Sequence, residues 1–177
     1  MLPRYRVSAP QRLWGEPIAT RGAATMTERL TTAYHEAAHA FVAVWEGIPV
    51  EDVSVTDDGR GKCSTGAPPG DVDKVEWIKK RLRISYAGME AQRYINPHTM
   101  FECSWSDRQA IDEIAFNVAA IVGEENAATF ADRARQETAK IIDEFWPLIK
   151  RLALELNRRG RMSGDEVRSA LWRERGV

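Results

Sequence analysis

From Thr27 to Val44 the chain repeats one pattern. Leu30, Tyr34, Ala37, Phe41 and Val44 return in steps of four and three, the spacing that gathers side chains on one face of an α-helix. Thr27 supplies an N-cap and Glu28 a first-turn acid. Gly47 and Pro49 stop the helix, the glycine by accepting a left-handed cap and the proline by refusing to continue. Inside this helix stands His35-Glu36-Ala37-Ala38-His39. A separation of four stacks the imidazoles about 6 Å apart along the axis and about 40° apart around it, so both can reach one metal ion at about 2.0–2.1 Å. Glu36, turned about 100° from His35, is offset toward water rather than toward the metal. A helix carrying two ligands must meet a second element that brings a third, with a fourth position left open for chemistry.

This HExxH spacing points to zinc, which acidifies water and polarises a carbonyl while Glu36 serves as general base. With 3 His in 177 residues, chance places the pattern somewhere in about half a per cent of shuffled chains. Its position on an independently predicted helix, with two small alanines that let another element approach, favours the metal over coincidence. The extension that would put Gly at position 42 and His at position 45 fails, because Val42 and Trp45 stand there. The third ligand therefore comes from His98, Cys103, Asp107, Asp112 or a glutamate such as Glu76 or Glu90. A carboxylate is favoured. Asp107 falls in the first turn of a predicted helix, where its charge suits the dipole, and it reads equally well as an ordinary helix-start aspartate.

The remaining segments predict a mainly α fold with a short β-hairpin or small sheet. Val50 to Thr56, in which Val53 and Val55 alternate with polar residues, and Gly61 to Thr65 flank Asp57-Asp58-Gly59 and read as a hairpin. After a loop at 67–70, Val75, Ile78, Leu82, Tyr86 and Met89 mark a second helix that Asn96-Pro97 ends. A capping box of Ser106 and Gln109 opens a third helix through Ile111, Ile114, Val118 and Ile121 up to Gly123. From Ala127 to Leu156 one helical register continues through Pro147, which predicts a kink rather than two unrelated helices. Ser163 and Glu166 form a second capping box for a terminal helix ending near Trp172.

At 44% hydrophobic and 29% charged residues this is the composition of one soluble globular domain, expected over residues 26–177. Residues 1–25, with Arg4, Arg6, Arg12 and Arg21 and no helical periodicity, are expected to be a flexible N-terminal extension. A net charge of −1 offers no field for nucleic acid. The apolar run Phe41 to Trp45 is far below the about 18 residues of a membrane span. Cys63 and Cys103, 40 positions apart, read as free thiols of a cytoplasmic protein, Cys103 as a buried inert one. Trp77, Trp146 and Trp172 are expected at the core or its edge, Trp105 as pocket wall or core, and His98 as a loop histidine.

Tyr34-His35-Glu36-Ala37-Ala38-His39-Ala40 resembles the HEAGHA helix in the peptidase domain of FtsH-type AAA metalloproteases, and further segments follow in the same order. Val53-Ser54-Val55 with Gly59 and Gly61 is similar to that family's strand and glycine turn. Tyr86-Ala87-Gly88-Met89-Glu90-Ala91 is similar to its glycine-alanine-glutamate helix. Ser104-Trp105-Ser106-Asp107 occupies the place of the segment whose aspartate is the family's third zinc ligand, and Leu152-Ala153 with Met162 to Val167 resembles its closing helix. The resemblance covers about residues 27 to 175. It implies a single zincin-like FtsH-type peptidase domain with zinc ligands His35, His39 and Asp107 and Glu36 as general base. Two positions depart from the pattern: Ala38 replaces a glycine, and Gln92 falls where the family carries a glutamate.

Members of that family carry a membrane anchor and an ATPase ahead of the peptidase. Here the one suggestive pair, Gly61-Lys62, is followed by Cys63 and lacks the first glycine of a phosphate loop at Thr56, so it reads as a turn. The expectation is an ATP-independent zinc metalloendopeptidase that hydrolyses flexible or unfolded polypeptides, with room for a separate ATPase or adaptor. Its substrate is expected to pair with the edge of Val50–Thr56 or Lys62–Thr65. Two alternatives stand beside it. One is a non-catalytic zinc-containing binding or regulatory module, favoured by Gln92 and disfavoured by Glu36. The other is a repressor-cleaving HExxH protease, which shares the motif but not the Asp107 arrangement.

Overall fold

Helix α1 (Met26–Trp45) runs through the middle of the molecule, and every residue from Ala33 to Ala43 is buried. Its periodicity predicted one apolar face. The structure encloses the other face too, because that face carries His35, Glu36 and His39, each less than a tenth exposed. Five alanines, at 33, 37, 38, 40 and 43, are nearly or wholly inaccessible and keep the helix thin enough for neighbours on both sides. The chain is described here from a computed structural model covering residues 26–67, 70–71, 73–95, 105–122 and 124–172. The predicted extension 1–25, the helix-ending Asn96-Pro97, His98, Cys103 and Gly123 lie outside the described residues, as does the Trp105 side chain.

As predicted, α1 ends at a left-handed glycine: Gly47 has φ 73°, and Ile48 N–H returns 2.8 Å to the Ala43 carbonyl. The hairpin follows as β1 (Val50–Val55) and β2 (Gly61–Thr65), antiparallel, with Val53 opposite Cys63 and Val55 opposite Gly61. Val53 and Val55 turn inward, as their alternation requires. The sheet has a third member that periodicity could not reveal. β3 (Arg161–Ser163) pairs antiparallel with β1, Met162 opposite Val53, and gives the order β2-β1-β3. Three residues are too few to display an alternation of their own.

Helix α2 (Lys74–Ile95) starts at Asp73, whose carboxylate accepts from the N–H groups of Val75 and Glu76 at 2.9 and 3.0 Å. Helix α3 (Trp105–Val122) begins one residue ahead of the predicted cap, and the Gln109 amide donates to Glu113 at 3.0 Å, while the Ser106 side chain of the predicted box lies outside the described ones. The long helix predicted through Pro147 is divided into α4 (Glu124–Glu144) and α5 (Trp146–Arg159), with Phe145 alone between them. Proline has no N–H to return to the preceding turn, so the ladder breaks there while Ile142, Ile149 and Leu152 keep the apolar phase. The break lets α4 pack on α2 and α3 while α5 packs on α1. Leu152 and Leu156 of α5 are fully buried, each contributing about 1.5–3 kcal/mol.

Helix α6 (Gly164–Trp172) closes the chain on the predicted box: Ser163 N–H donates to Glu166 at 2.8 Å, and Glu166 N–H donates to the Ser163 hydroxyl at 3.3 Å. The core has two parts. The larger joins α1, β1, α5 and α6; the smaller joins Ile78, Leu82, Tyr86 and Met89 of α2 to Val118 of α3 and Ala134 of α4. Trp77 and Trp146 pack at the edge of the larger core, Trp146 stacked between Tyr34 and Tyr94. Trp172, expected with them, is about half exposed. No helix among the described residues is long and apolar enough to cross a membrane.

Candidate metal centre

His35 and His39 leave the same face of α1, and their Nε2 atoms lie 3.0 Å apart. Asp107, in the first turn of α3, brings Oδ2 to 2.8 Å from His35 Nε2 and Oδ1 to 3.4 Å from His39 Nε2. A tetrahedral ion with bonds of 2.0–2.2 Å needs donors about 3.3–3.6 Å apart, so these atoms stand close to the required edge lengths. Two imidazoles and a carboxylate form a donor set suited to a divalent metal, and the group could hold such an ion.

Second contacts orient the ligands. His39 Nδ1 donates to the Ile84 carbonyl of α2 at 2.6 Å, which keeps its proton on that side and turns Nε2 toward Asp107 and His35. Among the described residues the buried His35 Nδ1 has no hydrogen-bond partner. The His35 ring lies against Gly88, where an added Cβ would come within 2.4 Å of its Cε1 and Nε2. A mid-helix glycine costs α2 about 1 kcal/mol relative to alanine, and here the close approach explains it. Gly88→Ala is therefore expected to shift the ring and weaken binding of a divalent metal about 10- to 100-fold while favouring the helix itself. Competition with a chelating dye measures the loss; unchanged affinity would contradict the packing.

No protein-family model and no curated protein matches the chain. The geometry alone therefore has to carry the functional reading.

Glu36 sits beside the three donors without joining them. Gly61 leaves the room it occupies, since a Cβ there would lie 2.4 Å from Glu36 Oε1 and 2.6 Å from Thr32 Cγ2. The Thr32 hydroxyl donates to the Gly59 carbonyl at 3.0 Å and ties the hairpin turn to α1. Burial pushes the Glu36 carboxyl up from its ordinary value, against the lowering effect of His39 and His35. Its affinity for a proton is thereby raised.

The electrostatics of the ligands run the other way. Burial alone would raise the Asp107 carboxyl, but hydrogen bonds from His35 and His39 hold it well below the carboxylate range. Burial alone would lower His39, yet Asp107 overrides it and the ring is pushed up to about 9. Metal-free His39 therefore carries an extra proton at pH 7, and binding must expel it. Affinity for a divalent metal is expected to rise about tenfold per pH unit between pH 7 and 8.5 and to level off above 9. Titrating the protein against a chelator of known affinity at each pH checks the slope.

Of the other candidate ligands, His98 and Cys103 lie outside the described residues, and the rest stand apart from these donors. Asp112 is exposed, five residues and about 140° around α3 from Asp107. Glu76 pairs with Lys79 and Arg83, and buried Glu90 pairs with Arg93 and Arg135. The site opens into a cleft of about 590 Å³ between α1, α2 and β2. Gln92, where the family pattern has a glutamate, lines it, as does Cys63, whose thiol is pushed up by burial and by the nearby Glu36 and is held protonated. Sequence reasoning missed the Ile84 carbonyl, which every residue type carries, and the second role of Gly88.

Proposed function

We propose that this chain is a zinc endopeptidase domain of the FtsH-like type, acting on flexible or unfolded polypeptide. The observation that carries the reading is the convergence of His35, His39 and Asp107 in an open cleft, with buried Glu36 beside them and outside the donor set. A site that only held a metal for structure would have no use for a carboxylate kept so close and yet unligated.

Zinc supplies a Lewis acid for carbonyl polarisation and water activation when bound. The chain's own residues do the rest. Glu36 takes a proton from the attacking water as the new C–O bond forms at the scissile carbonyl, and returns it to the amide nitrogen as the C–N bond breaks. The Ile84 carbonyl, which accepts from His39 Nδ1, keeps that imidazole oriented through the exchange. β2 is an edge strand, and among the described residues no strand pairs with its outer side. Its backbone is therefore available to hold an extended chain, which supports a substrate with its own backbone exposed.

The test is hydrolysis of an unfolded polypeptide by the zinc-loaded protein. Cleavage is expected, lost with a chelator and restored by zinc. A zinc-loaded protein that cleaves nothing across a broad library of unfolded peptides would overturn the reading in favour of a metal-holding binding module.

A further inference from the structure

The cleft is not electrically neutral around the site. On α2, Arg81, Ile84, Ser85 and Gln92 form one helical stripe that lines it. Arg81 at one end is partly buried, donates from Nη1 to the Thr65 hydroxyl at 3.1 Å, and lies with its guanidinium carbon 5.7 Å from the centre of the Trp77 ring. These two contacts fix the guanidinium, yet it forms no ion pair among the described residues. Of its five N–H donors most remain unspent. The other cations of the wall differ: Arg60 is paired with Asp58 at 2.7 Å, and Lys62 is exposed. The acids of the cleft, Glu36 and Asp107, belong to the metal centre.

A planar guanidinium held on an aromatic face, partly desolvated and without a carboxylate of its own, is suited to bind one from a ligand. Two rulers place it relative to the metal site. On α2, Gly88 marks His35 and Arg81 lies seven positions away, about 10 Å along the axis. On β2, Gly61 marks Glu36 and Thr65 marks Arg81, four positions and about 13 Å apart. An extended chain covers that distance in about three to four residues.

We propose that Arg81 forms a carboxylate-binding subsite of this cleft, selecting polypeptides that present an acidic group about three to four residues from the bond held at His35 and Glu36. The proposal rests on the peptidase reading for the position of that bond. The carboxylate has two sources, an acidic side chain or the free end of the chain. A substrate antiparallel to β2 would present a side chain from its N-terminal half, whereas a free C-terminus would require the parallel sense.

The test is equilibrium binding of fluorescent peptides to zinc-loaded Glu36→Gln protein, followed by anisotropy. Three otherwise identical peptides are compared: one with a glutamate at the stated distance and a blocked end, one with glutamine there and a blocked end, and one with glutamine and a free C-terminal carboxylate. The glutamate peptide or the free-end peptide is expected to bind about tenfold tighter than the blocked glutamine peptide, and whichever gains identifies the source. In the additional variant Arg81→Met, which retains an apolar stem over Trp77, the gap is expected to shrink to about twofold or less, and Arg81→Lys to keep part of it. Equal affinities for all three peptides, no binding of any, or a gap that survives Arg81→Met would each overturn the subsite. The peptide comparison needs no Arg81 variant to fold. Protein with Glu36 intact that binds with this selectivity but cleaves nothing would sink the peptidase reading and leave the subsite standing.

Discussion

Glu36→Gln is expected to leave bound zinc unchanged and to lower peptide hydrolysis by about 10²- to 10⁴-fold, the range a positioned general base contributes. The substitution keeps the shape of the side chain in a place where shape matters, because Glu36 is only 8% exposed and fills the space that Gly61 leaves for it. What it removes is the ability to accept and return a proton. The donor set is untouched, since the three donor atoms come from His35, His39 and Asp107. Metal analysis alongside cleavage of an unfolded polypeptide reads both quantities. Retained activity would remove Glu36 from the chemistry, and lost metal would place it among the ligands.

Asp107→Ala is expected to cut zinc affinity by more than about 100-fold, whereas Asp112→Ala, on the same helix, leaves it unchanged. Asp107 is the only one of the three donors that does not come from α1, so its loss leaves two imidazoles without the carboxylate that completes the set. The variant also changes the metal-free protein. Asp107 pairs with buried His39, and removing one partner of a buried charged pair costs about 3–5 kcal/mol. Unfolding in chelator at pH 7 should therefore separate the two variants as clearly as metal content does, with Asp112→Ala within about 0.5 kcal/mol of the parent chain. Helix α3 keeps its seat in either case, because Val118, Ile111 and Ile114 hold it to α2 and α4. Unchanged zinc binding in Asp107→Ala would refute the ligand assignment.

Much of the helical layout was legible because its signals are local. The stripe from Leu30 to Val44, the glycine cap at Gly47 and the box at Ser163 and Glu166 each need only a few neighbouring residues to be recognised, and each stands where the pattern placed it. Errors arose where a local pattern had two outcomes. The apolar phase through Pro147 is equally compatible with a kinked helix and with two helices, and the choice was made by their different partners, α2 and α3 for one and α1 for the other. β3 was illegible because a strand of three residues is defined by its pairing with β1 and not by its own composition.

The candidate site divides along the same line. A separation of four on a helix by itself determines that His35 and His39 share a face and that Glu36 is turned away from them, since helical pitch is a property of the backbone. Which carboxylate meets them is not, because Asp107 lies 72 positions from His35 in the chain and its first-turn place reads equally well as an ordinary helix-start aspartate. Only the packing of α3 on α2 decided between the two readings, and the packing of α1 on α2 set the approach of Gly88 to the His35 ring and the hydrogen bond from His39 to Ile84. These are contacts between surfaces, settled by how side chains of particular volume fit together, and no periodicity within a single segment encodes them.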